Sequence, residues 1–200
     1  MASPIEFYFD FSSPYSYIAS EAIEPLAARY ARAVDYKPTL LGVLFRTTGL
    51  RPHLEVPLKG EYSRRDFERT ARFAGVPFRM PEPFPIGTVN AARAFLWLKE
   101  TQPQVTQRFL HGAFRAYFVR GLNLSDPAAL AQVFADCGID PHATAEAIQQ
   151  QRIKDLLRTA VDESAARGVF GAPFIFVDGE PFWGNDRLPQ VERWLAQGPF

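Results

Sequence analysis

Strand-forming stretches cluster at the two ends of this chain, and the long middle, residues 63–167, has helical period throughout; this arrangement limits the available folds more than any other feature. Residues 5–11, Ile-Glu-Phe-Tyr-Phe-Asp-Phe, are β-prone and read as a strand. Pro14 then opens a helix running to Tyr30 or Arg32, with Ser12 or Ser13 as N-cap, because proline suits a first turn whose N–H has no intrahelical partner. Residues 34–44 read as a second strand, with Pro38 marking an edge or a bulge. Near the other end, residues 170–177 begin a strand, Asp178-Gly179 signals a two-residue hairpin, and residues 180–183 form the return strand. Residues 187–196 close the chain as a helix. Between these ends lie predicted helices at 63–74, 88–101, 104–118, 127–136, 141–149 and 151–167. The four prolines within residues 76–85 preclude regular helix and predict a stiff, extended loop.

The order β-α-β, helices, β-β-α predicts an α/β fold with a four-stranded mixed sheet interrupted by an inserted all-helical domain. A right-handed crossover would set the first two strands in parallel, and the last two would pair as a hairpin. The sheet domain is assigned residues 1–50 and 165–200, and the insertion residues 51–164.

Lys+Arg and Asp+Glu both number 22, so no excess positive charge favours a nucleic-acid partner. One cysteine, Cys137, can form neither an intramolecular disulfide nor a Cys-x-x-Cys pair, and His53, His111 and His142 lack paired metal-ligand spacing. No metal is therefore expected. The first ten residues lack the basic and apolar regions of a secretion signal, which predicts a cytoplasmic protein. The longest apolar stretches fall far short of the roughly 20 residues that a membrane helix requires. Eighteen Phe, seven Tyr and three Trp admit two readings, a densely packed core or an aromatic-lined pocket for a flat substrate.

Asp10-Phe11-Ser12-Ser13-Pro14-Tyr15-Ser16-Tyr17 joins the first strand to the first helix. A helix N-terminus carries unpaired N–H groups and partial positive charge, so an anion such as a thiolate is stabilised beside Ser13. A plain serine N-cap is the alternative. Asn185 and Asp186 equally suit the cap of the last helix.

Ser13-Pro14-Tyr15-Ser16 resembles, with serine in place of both cysteines, the Cys-Pro-x-Cys turn of thioredoxin-fold oxidoreductases, and Gly171-Ala172-Pro173 resembles their cis-proline loop. The strings FYFDFSSPYSY, GVFGAPFIFVDG and FWGNDRL are similar to those of the 2-hydroxychromene-2-carboxylate isomerase family, a DsbA-like branch that also holds the kappa-class glutathione transferases. The resemblance implies a thioredoxin-like fold and a glutathione-dependent isomerase that interconverts 2-hydroxychromene-2-carboxylate and trans-o-hydroxybenzylidenepyruvate in aromatic degradation. It implies that Ser13 holds the glutathione sulfur as a thiolate and that Ala172, before Pro173, pairs with the cysteinyl backbone. Trp183, Asn185 and Asp186 would hold the γ-glutamyl end. Arg46, where the family more often has Lys, would meet a glutathione or substrate carboxylate, and Phe84 and Asn90 would line the substrate side. The implied partner is a small aromatic carboxylate. Dimers are the commonest soluble homo-oligomers, so a homodimer is the default assembly. A kappa-like transferase or peroxidase, and a non-catalytic thioredoxin-fold binding module, remain as alternatives.

Overall fold

Alternation of Ile5, Phe7 and Phe9 with Glu6 and Tyr8 puts three fully buried apolar side chains on one face of the first strand. The computed structural model describes residues 3–200; Met1 and Ala2, which open both the 1–50 segment and the stretch read for a leader, lie outside the described residues. Strand β1 (Ile5–Phe9) runs parallel to β2 (Val34–Pro38), with Ile5 opposite Val34 and Phe9 opposite Pro38. Helix α1 (Pro14–Arg29) makes the crossover. On its other side β1 pairs antiparallel with β3 (Phe174–Val177), and β3 with β4 (Glu180–Trp183), giving the order β2-β1-β3-β4. Pro38 and Pro181 thus both sit on outer strands, where a missing N–H interrupts no internal ladder.

The second strand ends at Pro38, short of the expected 34–44, and helix α2 (Leu41–Thr48) follows. The helix is set from outside its own segment. An Asp10 carboxylate oxygen accepts the Leu41 N–H at 2.8 Å, supplying the cap that Leu40 lacks. Helical spacing then lays Leu40 and Val43 against Ala92, Leu157 and Val161, while Leu44 packs with Tyr8 and Phe174.

The helical block comprises α3 (Lys59–Phe73), α4 (Val89–Thr101), α5 (Pro103–Phe118), α6 (Pro127–Asp136), α7 (Pro141–Ala147) and α8 (Gln151–Ala166), and α9 (Leu188–Gln197) closes the chain. The division at 164/165 falls inside α8, whose Ser164 hydroxyl meets Thr39 Oγ1 at 2.8 Å just beyond β2. Most of the phenylalanines are structural: twelve of the eighteen are buried, and Phe7, Phe9, Phe11, Phe95, Phe109, Phe114, Phe118 and Phe134 fully so. Phe9 lies edge-on to Phe11 and Phe95, each with centroids 5.1 Å away, so the apolar face of the sheet and the helical block share one core. The proline-rich loop is fixed on that core by the Tyr17 and Tyr117 hydroxyls, which donate to the Pro77 and Pro83 carbonyls, each at 2.8 Å. No helix among the described residues is long and apolar enough to cross a membrane.

Candidate active site

The site grows from the turn between β1 and α1. Ser13 has extended backbone angles, and its Oγ accepts the Ser16 N–H at 3.1 Å, so the N-cap expected from the sequence is present. The same hydroxyl donates at 2.9 Å to the Ala172 carbonyl, 159 residues away. Pro14 has no N–H, Ser16 N–H is taken by Ser13 Oγ, and Tyr17 N–H by the Ser13 carbonyl. Among the described residues this leaves the Tyr15 N–H as the uncommitted donor of the first turn. The first turn of α1 holds no acidic residue to offset the positive end of a 16-residue helix.

The Ala172–Pro173 peptide is cis and enters β3 directly. The Pro173 carbonyl accepts the Gly184 N–H at 3.1 Å, which docks the loop after β4 against the proline. Gly171 is dictated by close approach, since a Cβ there would run into the Trp183 indole nitrogen. Trp183 is 47% exposed and stands edge-on to Phe170 with centroids 4.8 Å apart. Asn185 and Asp186 occupy a single 3₁₀ turn, Asn185–Arg187, that lies against α1. Neither side chain caps α9, which has Arg187 at its N-cap. Ser13, Ala172, Pro173, Trp183, Asn185 and Asp186 are therefore assembled around one end of the sheet.

Three other sequence-selected residues stand apart from that group. Arg46 is exposed in the last turn of α2 and makes no ion pair among the described residues. Asn90, in the first turn of α4, accepts a long 3.4 Å contact from Arg93. Phe84 is half-buried, stacked near-parallel to Tyr117 with centroids 6.4 Å apart and facing Phe67 at 6.1 Å. Phe67 in turn meets Tyr15 edge-on at 5.0 Å, so Phe84 reaches the start of α1 through an aromatic relay. The Tyr15 hydroxyl donates to Asp66 at 2.5 Å; burial and this carboxylate push the phenol well above its usual pKa.

Asp10 lacked a role in the sequence, yet it organises the region. It is 4% exposed, and one carboxylate oxygen accepts Ser12 N–H at 2.8 Å, Ser12 Oγ–H at 2.9 Å and Thr88 Oγ1–H at 2.7 Å. The other accepts Leu41 N–H. A lone carboxylate inside the aromatic run Phe7-Tyr8-Phe9-Asp10-Phe11 was the available signal, because a charge buried among aromatics must be hydrogen-bonded. Cys137 is buried away from this region, with its thiol toward the Arg108 carbonyl at 3.6 Å, and burial raises its pKa.

A serine-capped helix set against a cis-proline loop, with no cysteine in either, defines a thioredoxin-fold protein without dithiol chemistry of its own. Residues 4–196 match the DSBA-like thioredoxin domain. The chain is 32% identical to a 2-hydroxychromene-2-carboxylate isomerase of Sphingobium xenophagum, over 98% of this chain and 99% of that protein. It is 28% identical to glutathione S-transferase kappa 2 of Caenorhabditis elegans, over 98% and 92% of the two chains. A solved 2-hydroxychromene-2-carboxylate isomerase superposes with a TM-score of 0.86 at 25% identity, covering 96% of this chain and 94% of that one. The chain belongs to the DsbA-like thioredoxin-domain family and, within it, to the 2-hydroxychromene-2-carboxylate isomerases.

Proposed function

We propose that this chain is a glutathione-dependent isomerase of small aromatic carboxylates, interconverting 2-hydroxychromene-2-carboxylate and trans-o-hydroxybenzylidenepyruvate. The observation that carries this reading is the Ser13 hydroxyl, buried at the N-terminus of α1 and 2.9 Å from the Ala172 carbonyl of the cis-proline loop. The donor set suits glutathione: a hydroxyl and an uncommitted helix N–H for an anionic sulfur, a backbone edge for a peptide, and an exposed carboxylate at Asp186 for an ammonium group. Bound glutathione would supply a thiolate that adds reversibly to the conjugated double bond and so frees it to rotate.

The protein's own residues have separable tasks in this scheme. Ser13 turns its O–H from the Ala172 carbonyl to the sulfur, and the helix end favours the anionic form, which lowers the thiol pKa. Ala172 offers the backbone edge, and Trp183, Asn185 and Asp186 receive the γ-glutamyl end. Arg46, which makes no ion pair among the described residues, suits the substrate carboxylate, and this reading assigns Phe84 and Asn90 to the substrate side. The reducing, glutathione-rich cytoplasm is the compartment this chemistry needs.

The test is a titration with glutathione and S-methylglutathione, following thiolate absorbance in the ultraviolet for wild type and Ser13→Ala. Binding with a depressed thiol pKa in the wild type, lost in Ser13→Ala, supports the reading; absence of glutathione binding overturns it. The similarity to a kappa transferase supports a second reading, conjugation to an electrophile. Glutathione is consumed in that case and conserved in isomerisation.

A further inference from the structure

We propose that Asp10 is a positioning residue that locks the glutathione half of the site to the substrate half; this rests on the reading above. Its carboxylate is the meeting point of three chain segments. Ser12 N–H and O–H, immediately before Ser13, bind one oxygen; Thr88, which closes the proline-rich loop carrying Phe84, binds the same oxygen; Leu41 N–H, which starts the helix carrying Arg46, binds the other. The Asp10 carbonyl also accepts the Ser13 N–H at 2.9 Å.

Thr88 is the N-cap residue of α4, yet its hydroxyl makes no cap bond to that helix and donates to Asp10 instead. Leu40, at the N-cap of α2, has no polar side chain, and Asp10 supplies what it lacks. Two helix starts in the substrate half thus depend on one carboxylate in the glutathione half. Each of its oxygens holds a backbone N–H, which can only donate, and the group is buried, so an amide cannot replace it. With Asn at 10, one flip of the amide sets its NH₂ against Leu41 N–H and the other sets it against Ser12 N–H; the Ser12 and Thr88 hydroxyls can turn to accept, but neither backbone N–H can.

The experiment measures glutathione affinity, the thiol pKa of bound glutathione and the KM for 2-hydroxychromene-2-carboxylate in Asp10→Asn, Thr88→Val and Thr88→Ser, with thermal unfolding of each. Thr88→Val removes only the substrate-side tether. It is expected to raise substrate KM about tenfold, leaving glutathione affinity and the bound-thiol pKa as in wild type, and Thr88→Ser is expected to restore KM. Asp10→Asn is expected to raise substrate KM and to lower the bound thiolate fraction at neutral pH roughly threefold or more. Folded variants with a lower Tm but wild-type KM and thiol pKa would overturn the inference and leave the functional reading intact. Failure of the wild type to bind glutathione overturns both.

Discussion

Ser13 and Ser16 stand one helical turn apart in the same tetrapeptide, yet their surroundings assign them opposite fates. Ser13 Oγ is committed to Ala172 and to the Ser16 N–H, whereas Ser16 Oγ is fully buried with no hydrogen-bond partner. An unsatisfied buried hydroxyl is a net cost, so Ser16→Ala is expected to leave stability unchanged or raise it by about 1 kcal/mol, read by chemical denaturation, and to leave the bound-thiol pKa alone. Ser13→Ala is expected to return that pKa toward its free value and to lower kcat/KM by about 10²-fold in steady-state kinetics. Equal effects of the two substitutions would contradict this division. Sequence alone places both serines at a helix start, but only the folded chain brings Ala172 to the first of them.

Elements whose starting signal is local could be read in advance, whereas the start of α2, capped from afar, could not. Helices α6 and α7 begin with Asp126-Pro127 and Asp140-Pro141, where each aspartate caps the next turn, and both starts match the sequence reading. The first four residues of α2, Leu41-Gly42-Val43-Leu44, read as the end of a strand because leucine and valine there are β-compatible and the cap, Asp10, lies 31 residues earlier. The pairing of α1 with α5 was equally invisible. His111 Nε2 lies 3.0 Å from Glu24 and its Nδ1 3.4 Å from Glu21, while Arg115 binds Glu21, and Tyr36 and Gln107 bind Glu24. Burial alone would lower the pKa of His111, but the two carboxylates outweigh it and hold the imidazole at about 9. Glu21 is likewise penalised by burial, yet His111 and Arg115 hold it at about 2. The His111 contribution is therefore complete below about pH 6.5 and lost as pH rises through about 9; that of Glu21 is complete above about pH 4.5 and lost as pH falls through about 2. The unfolding free energy from chemical denaturation should fall on the alkaline side, by roughly 1–3 kcal/mol, and His111→Gln should flatten that limb. An unchanged alkaline slope would count against the assignment.

At the scale of the whole molecule, the continuous core decides how the protein unfolds. Phe114 on α5 touches Phe9 of the sheet at 5.8 Å and Phe11 at 5.1 Å, so the helical block is one face of a shared interior. Phe114→Ala should cost about 3–5 kcal/mol and lower the stability of sheet and helices together. Far-ultraviolet dichroism and tryptophan fluorescence should report a single coincident transition, and two separated ones would show that the block melts alone. The outer strands govern a different property, the behaviour of many copies at once. Pro38 and Pro181 each remove a donor from a rim only four or five residues long, and Asp35 and Lys37 add charge to one of them. Neither rim is a good template for a further strand. Growth of the sheet from chain to chain is thereby discouraged in concentrated solution, and any self-association is steered to side-chain surfaces, where it can end in a closed pair and not in a fibre.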